Sequence, residues 1–173
     1  TTNATDFTAA WSAVANATGY RLDVGTNAAF SGGGDSAQAT LVSNAAASTA
    51  APADWTYNIS ASSSSYLILG YATNYVMSEA FSTVGFTNLT VNFNARSYGT
   101  VSGTTRTNIT VSISGDNGET WTAIGTVAPG NNVMNAMPTL TNTANLGNAQ
   151  TRIRWQSPNA AANSGAGIQA LTV

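Results

Sequence analysis

SISGDNGETWTAIG, residues 112–125, reads as two strands and the turn between them. Just before and into it, Ile109, Val111 and Ile113 alternate with Thr110, Ser112 and Ser114. A period of two is the mark of a strand with one buried face. Asp116-Asn117-Gly118 then supplies turn chemistry. The Asp carboxylate can accept from backbone N–H groups two residues on, and Gly tolerates positive φ. A second strand is predicted from Thr120 to Val127, with Trp121 placed to cover the base of the turn. The reading is a β-hairpin.

Ser114, Asp116, Gly118, Thr120 and Trp121 form the pattern S-x-D-x-G-x-T-W. This resembles the Asp-box, a turn motif of sialidases and other secreted β proteins. The resemblance implies a structural turn away from any catalytic centre. A sialidase would need several copies, an arginine cluster and a far longer chain; one copy occurs here.

The same grammar runs through the chain. DFTAAWSAV, GYRLDVGT, ATLVS, WTYNIS, SYLILGY, YVMSEAF, TNLTVNFNARSYG, PTLTNTANL, TRIRWQS and GIQALTV read as strands. Gly, Asn, Ser and Pro clusters separate them. No window carries a sustained helical stripe. About ten strands without a helix predict an all-β antiparallel sandwich of jelly-roll type.

Composition narrows the function. The 173 residues include no Cys and no His, and all five basic residues are Arg. That removes disulfides, thiolate or imidazole metal sites and the usual general base. Charged residues are 7% of the chain, against about 25% in ordinary soluble domains. No basic footprint for nucleic acid is present, and no apolar run reaches the length of a membrane span. TTNATDF opens the chain without the pattern of a secretory signal, which reads as a processed, exported protein.

The segment ATDFTAAWSAVANATGYRLDVGTNAAF looks like the opening of a fibronectin type III domain, carried by the Trp11 strand and the Tyr20–Val24 strand. The likeness stops there. Residues 55–173 resemble the jelly rolls of carbohydrate-binding modules in bacterial surface and secreted proteins, on SGDNGETWTAIG and the closing pair TRIRWQS and GIQALTV. The expected organisation is therefore a fibronectin-like β-segment (1–30), flexible loops with a short strand (31–54) and a jelly roll (55–173). Phe7, Ala9, Trp11 and Ala13 share one face of the first strand and demand burial. A lone hairpin is marginal in water, so that segment is expected to pair with a sheet, in its own chain or in a neighbouring copy.

Candidate sites follow from residue type. The scattered acids are explained by turns, strand faces and loops, Glu79 excepted, and no catalytic set emerges. GGGDSAQ and SGDNGE offer oxygens, but neither has the spacing of a calcium loop; both read as plain turns, with calcium the one ion the composition admits. Flat aromatics suit a glycan. Tyr71 and Tyr75, flanking a predicted loop, and Trp55 are the candidates, while Trp155 shares a face with Ile153 and reads as core. Arg152 and Arg154 lie on the opposite face from Ile153, suited to a carboxylate, a partner or plain solvent. Glycosylation sequons occur at Asn3, Asn16, Asn58, Asn88 and Asn108, and Asp35-Ser36-Ala37 resembles an O-glycosylated tripeptide.

The sequence thus leads to a non-catalytic extracellular structural protein. It would be a subunit of a surface filament or layer, partnered by copies of itself through a shared N-terminal strand. The alternative is a carbohydrate-binding or adhesion module of a larger secreted protein, partnered by glycans.

Overall fold

The computed structural model describes residues 40–44, 51–62, 66–99, 108–130, 132–158, 160 and 164–173. The chain divides into two units, Thr1–Ser31 and Gly32–Val173, and every described residue belongs to the second. The expected strands DFTAAWSAV and GYRLDVGT lie outside the described residues, as do Phe7, Ala9, Trp11, Ala13, Asn3, Asn16 and Ser36.

Twelve strands are described: β1 (Ser43–Asn44), β2 (Thr56–Asn58), β3 (Ala61–Ser62), β4 (Leu67–Leu69), β5 (Tyr75–Met77), β6 (Leu89–Gly99), β7 (Ile109–Ser114), β8 (Thr122–Val127), β9 (Asn135–Ala136), β10 (Leu140–Asn142), β11 (Arg152–Gln156) and β12 (Ser164–Thr172). No helix occurs among the described residues. The strands form two antiparallel sheets. One runs β10-β6-β12-β4-β3, with β9 also on β6 and β1 also on β12; the other runs β2-β5-β11-β7-β8. The fold is an all-β antiparallel sandwich of jelly-roll type.

Alternation explains which face is inside. Leu89, Val91, Phe93 and Ala95 of β6 are buried, as are Ile109, Val111 and Ile113 of β7 and Ile153 and Trp155 of β11. Together with Leu67, Leu69, Val76, Ala166, Ile168 and Leu171 they fill the space between the sheets. Burial of this apolar face is the main stabilising term. Trp155 joins the two layers. Its ring stacks on Trp55 at 6.1 Å and meets the Phe93 ring edge-on at 6.5 Å.

β12 holds the middle of its sheet. Ile168 pairs with Leu67 on one side and Ala95 on the other. Its register breaks between Gln169 and Thr172, where Ala170 sits at φ +53°. The extra residue is a bulge, and beyond it Leu171 and Thr172 pair with β1. Val173 closes the contact, its carbonyl accepting from Leu41 N–H at 2.7 Å and its own N–H donating to Val42 O at 3.0 Å.

Candidate functional site

The site grows out of β11. Because Ile153 and Trp155 point inward, Arg152, Arg154 and Gln156 point outward. The antiparallel register then lines up rows of side chains across the outer face of the five-stranded sheet. Asn58, Tyr75, Gln156, Thr110 and Thr126 form one row. Thr56, Met77, Arg154 and Ser112 form the next. Arg152 and Ser114 begin a third. From Arg152 to Gln156 the face spans about 13 Å along the strand, at about 3.3 Å per residue.

One end of the face is closed by the turn before β5. Asn74 is buried, and its side-chain oxygen accepts from the backbone N–H groups of Gly70 (3.0 Å) and Tyr71 (2.9 Å). The Ser60 hydroxyl donates to the same oxygen. Asn58 and Gln156 donate their amide N–H to the carbonyls of Thr73 (3.1 Å) and Ala72 (2.8 Å). The turn is thereby pinned to the sheet, and it displays Tyr71 at 52% exposure. Tyr75, which starts β5, is half-buried on the face itself.

The other end is closed by the turn between β7 and β8. Asn117 (φ 60°) and Gly118 (φ 98°) both lie in the left-handed region, the φ pattern of a type I′ turn. The Ser114 hydroxyl donates to Asp116 Oδ1 at 2.6 Å and accepts from Gly118 N–H at 2.7 Å. The Asp116 carboxylate accepts from Thr120 N–H at 2.9 Å and from the Thr120 hydroxyl. These bonds, from Ser114 first and then Thr120, hold the Asp116 pKa at about 2. The Trp121 indole N–H donates to Gly118 O at 3.0 Å. That bond orients the ring, and the Arg154 guanidinium lies over it, 4.3 Å from the centroid.

Arg152 and Arg154 behave differently. Arg152 Nε donates to Asn117 Oδ1 (2.7 Å) and Nη1 to Ser78 O (2.8 Å), tying the turn to the sheet. Arg154 Nε is buried without a hydrogen-bond partner. Burial lowers the Arg154 pKa, with the Tyr75 phenol acting in the opposite direction.

The remaining candidates are dispersed. Trp55 is corrected: at 6% exposure it stacks on Trp155 inside the sandwich and presents no platform to a glycan. Its sequence gave no periodicity to tell its face, because it sits just ahead of a three-residue strand. Asn58 and Asn88 are exposed and Asn108 is half-buried. Among the described residues no group of three acidic side chains comes together to hold a metal ion, and no helix is long and apolar enough to cross a membrane.

No protein-family model matches the sequence, and no curated relative matches it. Solved structures do. One is a variant of a family 29 carbohydrate-binding module, CBM29-2, at 12% identity and TM-score 0.53, covering 78% of this chain and 91% of that one. Another is the CBM22-1 xylan-binding domain of Xyn10C from Paenibacillus barcinonensis, at 8% identity and TM-score 0.48, covering 78% and 92%. At 12% identity the likeness to the family 29 module speaks to the fold of the sandwich alone.

Proposed function

We propose that the chain is a non-catalytic carbohydrate-binding module of an exported protein, and that it holds its glycan on the outer face of the five-stranded sheet. One observation carries this reading: half-exposed Tyr75 and Trp121 share that face with Asn58, Gln156 and Thr110, and Tyr71 stands at its rim. A pyranose has an apolar C–H face and a ring of hydroxyls. Aromatic rings take the first and amides and hydroxyls take the second. The family 29 module supports the fold, and the side chains of this chain support the ligand class.

Isothermal titration with a panel of plant and microbial oligosaccharides tests the reading. Wild type should bind at least one. Tyr75→Ala should weaken that affinity about tenfold, about 1.4 kcal/mol, with an unchanged far-UV spectrum. A panel with no ligand, or a Tyr75→Ala protein that binds like wild type, would overturn it.

The filament reading rests on Phe7, Ala9, Trp11 and Ala13, which lie outside the described residues. Neither the sandwich nor its structural neighbours adds support to it.

A further inference from the structure

We infer that the glycan is acidic, a polysaccharide of hexuronate residues, and that Arg154 reads its carboxylate. This deepens the glycan-binding reading and rests on it. A neutral sugar needs only rings and hydrogen-bonding groups, so an uncompensated guanidinium on the same face asks for a separate explanation.

Arg154 is held in place and left unused. The Trp121 ring lies against its guanidinium. Among the described residues it forms no ion pair and no hydrogen bond, and the one buried nitrogen without a partner is Nε, so the two terminal nitrogens are open to solvent. An arginine recruited only for packing would ordinarily satisfy some of its five donors, as Arg152 does through Asn117 and Ser78.

The acids nearby do not neutralise it. The β5 register continues through Ser78 N–H bonding Ile153 O, which sets Glu79 opposite Arg152 rather than Arg154. Asp116 is engaged by Ser114 and Thr120, and Glu119 is exposed on the turn beyond it. Opposite Arg154 in register stand Met77 and Ser112, which carry no charge. The face therefore presents, against the Trp121 ring and one row from Tyr75, a guanidinium with neither ion pair nor hydrogen bond among the described residues.

A guanidinium matches a carboxylate through two parallel N–H bonds, and low local hydration strengthens that pairing. A hexuronate stacked on Tyr75 would bring its carboxylate toward this fork. Sulfate esters share the charge but not the planar geometry.

The test uses oligomers of galacturonate, guluronate and mannuronate and a glucuronate-substituted xylan, each beside its carboxyl-reduced counterpart. Titration calorimetry on the wild-type protein should show at least one acidic oligomer binding tenfold or more tightly than its reduced form. That preference should shrink as sodium chloride rises. Arg154→Met should remove the preference, so that acidic and reduced oligomers bind with like affinity, and its melting temperature should hold or rise because an unpaired buried nitrogen is gone. Equal binding of acidic and reduced oligomers by wild type would overturn this inference and leave the glycan-binding reading standing. Absence of binding to every oligomer would overturn this inference, and the glycan-binding reading falls with it only when the wider oligosaccharide panel also yields no ligand. A preference for sulfated over carboxylated glycans would overturn the choice of hexuronate. An Arg154→Met protein that melts lower and loses acidic and reduced ligands alike would make Arg154 a packing residue. The wild-type comparison decides the matter even where that variant fails to fold.

Discussion

Trp55 and Trp155 lie with ring planes 16° apart and centroids 6.1 Å apart, so the entry to β2 is clamped onto β11 across the intervening β5. Phe93 meets the same Trp155 ring from the opposite sheet. The strand that carries the outward Arg154 and Gln156 is thus anchored from behind by the largest side chains of the core.

Trp155→Ala should destabilise the protein by about 3–5 kcal/mol, since the ring is fully buried and its loss opens a cavity. Trp155→Phe should cost much less. It keeps most of the volume and removes an indole nitrogen that is buried without a partner. Urea denaturation of the two variants checks the order.

Acid should loosen the β7–β8 turn in a defined window. The Asp116 pKa is depressed to about 2 in the fold from the 3.8 of an ordinary aspartate. A depressed carboxylate contributes stability that is present above the higher value and is lost as pH falls through the lower one. Melting temperature should therefore fall between pH 4 and pH 2. Asp116→Asn should flatten that part of the profile and lower stability at neutral pH. A profile identical to wild type would show that the carboxylate does not organise the turn.

Ala170→Gly should stabilise. Ala170 holds φ +53° at the β12 bulge, where an L side chain costs about 1–2 kcal/mol. Glycine removes that cost and gives back about 0.5–1 kcal/mol in chain entropy. The net gain should be up to about 1 kcal/mol, read from thermal melts.

Gly165→Ala should do the reverse. A Cβ there would stand 2.1 Å from Leu69 O and 2.8 Å from Gly70 Cα, both backbone atoms. The strands must part to admit it, at about 1–3 kcal/mol or more. Unchanged stability would mean that β4 and β12 are not as closely packed as described.

Much of this was legible in the residues, and the exceptions have physical causes. Strict alternation marked β6 and β11, because one face of each is buried and the other is not, and it marked β7 by residue type alone, since Ser112 and Ser114 on its polar face are buried too. GIQALTV marked only part of β12, which begins earlier at Ser164. Ser164-Gly165-Ala166 carries no apolar alternation, yet it is strand, and a glycine fits at 165 because the Leu69 backbone passes so close. Within YVMSEAF, Tyr75 and Met77 pair as β5, and pairing resumes only as a bridge at Phe81. At the candidate site, Tyr71 and Tyr75 stood out as flat residues around a turn. The contact of Trp121 with Arg154 did not, since it joins the end of one hairpin to a strand far along the chain. Local periodicity carries no information about such a pair.

The central place of β12 also sets how this chain reaches its fold. Its neighbours come from Leu67–Leu69 on one side and Leu89–Gly99 on the other. Neither neighbour can complete its sheet until a segment from the far end of the chain arrives, and the loop entropy must be spent before any pairing rewards it. Folding is then expected in milliseconds to seconds, the range of sandwiches dominated by distant pairings. Meanwhile the Leu-Ile-Leu run of β4, paired locally only with the short β3, waits with its β12 edge open, and such strands associate with one another. Refolding yield should accordingly fall as protein concentration rises.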